Sequence, residues 1–159
     1  MCSRSEPSPA KRELFRLAAE FRQAIQQSEN VPAGLQSRFH GYPKNMCEFA
    51  SNLLGRYLRD EGFDNVRYVC GSRRLEARTG DERHAWLEAQ GFIIDITGDQ
   101  FPDGIEPVVV TDDHSWHSRF RIFESRDATD LNDYPVAAQK QYERLFRQVV
   151  RKIPAARPG

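Results

Sequence analysis

Three stretches of the chain repeat apolar side chains at helical spacing, and several stretches between them alternate apolar with polar. In the first, Leu14, Leu17, Ala18, Phe21 and Ile25 form one stripe, which predicts a helix from Pro9 to about Ser28. Ser8 is its expected N-cap and Pro9 its opening residue, because proline lacks the N–H that a first turn leaves unpaired. Asn30-Val31-Pro32-Ala33-Gly34 breaks the pattern, and Leu35 to Lys44 reads as a loop. The second stripe is Phe49, Ala50, Leu53, Leu54, Tyr57 and Leu58. Asn45 is expected to cap it, with Glu48 three residues on completing a near capping box, and Gly62 is the expected C′ residue. The third helix is predicted to begin near Asp133-Tyr134-Pro135 and to carry Ala138, Tyr142, Leu145, Phe146, Val149 and Ile153.

Period-two stretches lie between the second and third helices. Asn65–Cys70 reads as a strand with Val66, Tyr68 and Cys70 on one face, and the charged run Gly71 to Glu82 as a hairpin connection. Arg83–Glu88 and Phe92–Thr97 flank a short Ala89-Gln90-Gly91 break and read as a second hairpin. After a turn-rich loop over Gly98–Glu106 come a short strand at Pro107–Thr111, a polar loop at Asp112–His117 and a strand at Arg119–Glu124. That last strand would place Phe120 and Ile122 opposite Arg119, Arg121 and Phe123. Helices at both ends with strands grouped between them predict an α+β fold.

Composition narrows the class. The 159 residues suffice for one domain with a real core, predicted over residues 8–153 between flexible tails at 1–7 and 154–159. Apolar residues make up 39% and charged ones 29%, as in a polar-surfaced globular protein. Lys plus Arg and Asp plus Glu are equal at 23 each, which argues against a nucleic-acid partner. No apolar run approaches the roughly 20 residues of a membrane span, and the first nine residues hold no apolar signal core. Cys2, Cys47 and Cys70 are few, odd in number and far apart, so a reducing cytoplasm is expected rather than a disulfide framework.

Candidate chemistry gathers at the second hairpin. If Ala89-Gln90 makes the turn, His84 faces Asp95 directly; if Gln90-Gly91 does, Asp95 faces Trp86 and lies diagonal to His84. Both registers put the imidazole and the carboxylate on one face. A carboxylate fixes an imidazole's tautomer and supports its charged form, as a catalytic base requires. An Asp inside Phe92-Ile93-Ile94-Asp95-Ile96 is itself a signal, since charge in an apolar run is costly unless paired. Upstream, Cys47 falls in the first turn of the second helix, where the helix dipole favours a thiolate. Cys70 reads as strand core and His40 as a solvated loop histidine. His114-Ser115-Trp116-His117 invites a zinc reading with Cys47 and His84, but no compact ligand-pair motif marks it, so no metal is expected.

A cysteine on a helix, then HAWLE at His84–Glu88, then IIDIT at Ile93–Thr97, resembles the papain-like cysteine enzymes of the transglutaminase-like branch. The resemblance covers roughly Pro43 to Phe101 and implies a cysteine helix packed on an antiparallel sheet. It implies Cys47 as nucleophile, His84 as general base and acid, and Asp95 as orienting carboxylate, with no cofactor. The family spans peptidases, amidases, deamidases, transglutaminases and acyltransferases, so the expected partner is a protein or peptide offering a carboxamide or peptide carbonyl. A cysteine hydrolase, cytoplasmic or delivered into a target cell as an effector, is the leading expectation. An acyltransferase on the same triad and a non-catalytic binding module are the alternatives. Papain carries a Gln six residues before its Cys as an oxyanion donor, and Gly41 stands there in this chain. Asn45 and Gln100 are the candidate replacements, and Trp86, on the His84 face, is a candidate cleft wall.

Overall fold

The computed structural model describes residues 5–28, 42–43, 46–74 and 80–154. Among them are three α-helices, α1 at Pro9–Gln26, α2 at Cys47–Asp60 and α3 at Val136–Val150. Five strands are β1 at Arg67–Arg74, β2 at Asp81–Ala89, β3 at Phe92–Asp95, β4 at Val109–Thr111 and β5 at Arg121–Asp127. They form one antiparallel sheet in the order β4-β3-β2-β1-β5. The protein is therefore α+β.

The helix ends follow local chemistry. Ser8 Oγ accepts the Lys11 N–H at 3.2 Å, and Pro9 opens α1. At the end of α2, Gly62 takes a φ of 99°, the Phe63 N–H bonds to Leu58 O and the Gly62 N–H to Arg59 O, the paired bonds of a Schellman stop. The start of α2 departs from expectation. Met46 occupies the N-cap position without a side-chain cap, so Cys47 is the first helical residue rather than the second; Asn45 lies outside the described residues. Helix α3 starts at Val136 and ends before Ile153, which sits in the turn beyond it.

Two strand expectations need correcting. β1 does not stop at Cys70 but runs on to Arg74, pairing Gly71–Arg74 with Asp81–His84. Its charge is accommodated because Arg73 bonds to Glu82 Oε2 at 3.0 Å on the neighbouring strand. On β5 the expected alternation fails: Ile122 and Phe123 are both 53% exposed, while Phe120 is buried just before the strand. β5 is an edge strand, and its pairing slips between Cys70 and Gly71, which breaks the period-two pattern. A Cβ at Gly71 would meet Phe120 Cβ and Arg121 O at 3.0 Å, so glycine lets β5 approach there.

The two sheet faces carry different loads. Ala85, Leu87, Ala89 and Ile94 point into the main core with Leu14, Phe21, Leu53, Leu54, Leu58 and Leu145 from the helices. On the other face Val69, Trp86, Ile93 and Phe120 form a smaller cluster, roofed by Phe101 and Trp116. The main core supplies the apolar burial that stabilises the domain. The smaller cluster surrounds the candidate chemistry.

One polar anchor crosses the helix layer. Arg22, buried on α1, donates to Ile96 O at 2.9 Å, Pro107 O at 2.6 Å and both oxygens of Asp99 at 2.8 and 2.7 Å. It pins the turn that follows β3. Arg22→Met is expected to cost about 3 kcal/mol in urea unfolding, because it strands a half-buried carboxylate and two carbonyls. A loss under about 0.5 kcal/mol would show that water takes over those bonds. No helix among the described residues is long and apolar enough to cross a membrane.

Candidate active site

The hairpin between β2 and β3 decides what meets Asp95. Gln90 and Gly91 both take positive φ, 56° and 80°, as a two-residue turn matching strand twist requires. Ala89 then pairs with Phe92, Glu88 with Ile93 and Leu87 with Ile94. Continued by one step, this register sets Asp95 opposite Trp86 and diagonal to His84. The diagonal suits the chemistry. It brings His84 Nε2 to 2.6 Å from Asp95 Oδ2, with both side chains fully buried.

Asp95 is saturated with donors. Besides His84, its Oδ2 lies 2.7 Å from His117 Nε2, and its Oδ1 accepts the Thr97 N–H at 3.0 Å. Burial alone would raise its pKa, but the His84 charge and the donors from His117 and His84 outweigh it and hold the carboxyl well below the usual range. For His84 burial works toward a lower pKa. The Asp95 carboxylate, its hydrogen bond, and Cys47 together overcome that and raise the imidazole to about 9. The Cys47 thiol therefore lies within electrostatic reach of the ring. Since Nε2 is taken by Asp95, Nδ1 is the nitrogen left for the thiol.

The other expected residues divide. Gln100 stands in a short 3-10 turn, Gly98–Gln100, directly after the hairpin. Its Nε2 donates to Thr97 O at 3.0 Å and lies 3.4 Å from His84 Nδ1, so the amide reaches the thiol side of the imidazole. Trp86 does not wall a cleft: at 1% exposure it offers a ligand no surface. It packs instead against His84 and His117, with ring centroids 5.7 and 4.9 Å away. Phe101, Trp116 and Phe120 complete an aromatic box at 5.1 to 5.6 Å from the His84 ring. Arg73 lies over the outer side of that box, 4.6 Å from the Phe120 centroid, and bonds to Asp103. Cys70 is buried, and burial pushes its thiol up to about 11.

His117 was legible only as part of a possible metal motif, and no periodic signal marks its partner. It enters the site from a one-turn 3-10 segment, His117–Arg119, after the polar loop. His84, Asp95 and His117 each offer a ligand atom within 4.8 Å of the others. The fit to a metal is poor as these atoms stand. Ligands on one tetrahedral zinc, each about 2.0–2.1 Å from it, lie about 3.3 Å apart. Here the nitrogen–oxygen distances of 2.6 and 2.7 Å are those of hydrogen bonds from two Nε2–H groups. His114 is exposed and belongs to no such cluster among the described residues.

Fold and site together describe an α+β protein in which a helix-opening cysteine lies near an imidazole held by a buried carboxylate. Compared with family models, curated proteins and solved structures, the chain matches none.

Proposed function

We propose that this protein is a cysteine-dependent acyl-transfer hydrolase acting on a peptide or carboxamide carbonyl, of the papain-like, transglutaminase-like kind. One observation carries the reading. Cys47, the first residue of α2, lies beside an imidazole whose far nitrogen is fixed by a buried, ionised Asp95. A cysteine kept for packing alone has no need of that partner, and a buried ion pair is costly to maintain.

The chemistry runs through the chain's own groups. His84 Nδ1 takes the Cys47 proton, and the imidazolium is stabilised through Nε2 by Asp95. The thiolate sulfur bonds to the carbonyl carbon, and the carbonyl π pair moves onto oxygen. The Cys47 N–H, one of the unpaired donors at a helix start, is the first candidate for binding that oxyanion. Gln100, whose amide stands 3.4 Å from His84 Nδ1, is the second. His84 then protonates the leaving amine as the carbon–nitrogen bond breaks. Water, deprotonated by His84, cleaves the thioester and returns the proton to sulfur.

Alkylation tests the pair without a known substrate. Iodoacetamide at about pH 6, followed by mass mapping, is expected to label Cys47 far faster than Cys70, and Cys47 is expected to become sluggish in His84→Ala. Equal labelling of the two thiols, or labelling that chelator treatment alone unlocks, would overturn the reading.

A further inference from the structure

Two histidines end on one oxygen of Asp95. His84 Nε2 and His117 Nε2 lie 2.6 and 2.7 Å from Oδ2, and all three side chains are buried. Each ring reaches the carboxylate as a donor, so each carries its proton on Nε2. The rings differ at Nδ1. That of His84 stands 3.4 Å from the Gln100 amide. That of His117 is buried and has no hydrogen-bond partner among the described residues. A second proton there would bury an N–H with no acceptor, which costs free energy. One carboxylate also neutralises only one imidazolium. The two rings therefore differ in environment: the His84 Nδ1 has the Gln100 amide beside it, and the His117 Nδ1 is buried without a partner among the described residues.

Resting on the cysteine-hydrolase reading, we propose that His117 is a positioning residue of the reaction, a second donor that fixes Asp95 and shares its charge with His84. The acidity of the His84 imidazolium is then set by two rings. A donor on Oδ2 draws charge from the oxygen that supports His84, so His117 keeps the imidazolium acidic enough to release its proton to a leaving amine.

Other charged groups around the site stay fixed over the relevant range. Arg22 from α1 acts on Asp95 from the helix side and remains protonated, and Tyr42 is held neutral by burial. Arg73 from β1 stands behind Phe101, Trp116 and Phe120, bound to Asp103 and Glu82. That leaves His84, from β2, as the ring whose proton moves in the reaction.

The test pairs two substitutions with a spectroscopic readout. His117→Phe keeps an aromatic ring between Trp86 and Trp116 but removes the donor; His117→Gln places an amide N–H near the lost Nε2. In His117→Phe the alkaline limb of amide hydrolysis is expected to rise by about one pH unit, with the acid limb unmoved. Its kcat is expected to fall on the order of ten-fold at constant KM, as the carboxylate loosens. His117→Gln is expected to restore the limb. A purely structural His117 would lower the melting temperature and leave the limb in place, and that result overturns the proposal. Independently, ¹⁵N imidazole spectra of Cys47→Ala are expected to show a proton on Nε2 of His117, bonded to Asp95. A His117 ring with a bare Nε2 overturns the proposal even if His117→Phe does not fold. If the wild type hydrolyses no amide, the hydrolase reading fails by itself, and the spectra still decide how Asp95 is shared.

Discussion

Cys47→Ala is expected to abolish turnover of a peptide or glutamine-amide library while its thermal melt stays close to the wild type. Among the described residues no second thiol stands beside an imidazole, since Cys70 is buried in the main core with its pKa raised. The substitution removes one sulfur from the first residue of a helix, where alanine is well tolerated, so stability should change by less than about 0.5 kcal/mol. Loss of activity without loss of fold is the signature of a nucleophile. Full activity in Cys47→Ala would end the thioester mechanism.

Asp95→Asn is expected to be severe for both catalysis and stability. An amide oxygen in the place of Oδ2 can still accept from both Nε2–H groups, but the amide nitrogen then sets a donor against the Thr97 N–H; turned the other way, it points that donor at both rings. In a serine-protease triad the same change costs on the order of 10⁴ in rate. The loss here should be somewhat smaller, because a thiolate–imidazolium pair is partly preformed. Losing charge-assisted bonds in a buried site should cost about 3 kcal/mol. The pH dependence has a definite sign. Asp95 is held below its ordinary value of 3.8, so its stabilisation is present above that pH and fades as the pH falls through the folded value. His84 is raised from 6.5 to about 9, so its stabilisation is complete below 6.5 and is lost as the pH rises through about 9. The stability gap between wild type and Asp95→Asn should be widest between these limits and narrow toward pH 9 and toward acid. A gap in denaturant midpoint that is flat from about pH 5 to about pH 9.5 would show that the pair is not charged in the folded state.

The elements of this protein were legible in its sequence wherever the signal was local. Ser8-Pro9 marks the start of α1, and Gly62 the end of α2, because capping is settled within a few residues. The buried stripes of the helices follow from spacing alone. The hairpin was legible down to two registers, and Gln90-Gly91, with both residues at positive φ, is the one formed. Where charge masked the pattern, local reading failed. Gly71–Arg74 reads as a connection, yet cross-strand pairing of Arg73 with Glu82 extends β1 through it. Ile122 reads as a core position, yet it lies uncovered on an edge strand.

By itself the sequence determined the order of the candidate groups, Cys47, His84 and Asp95, and that the last two share a sheet face. With a two-residue side-chain period, either two-residue turn at Ala89-Gln90 or Gln90-Gly91 gives that outcome. Tertiary structure alone decided that Cys47 lies near His84, that Arg22 holds the turn carrying Gln100, and that Trp86 is buried support. It alone brought His117 onto the same oxygen of Asp95 from 22 residues down the chain. These contacts link segments with no common periodicity. They depend on how loops close over the second sheet face, which local propensity and hydrophobic patterning do not encode.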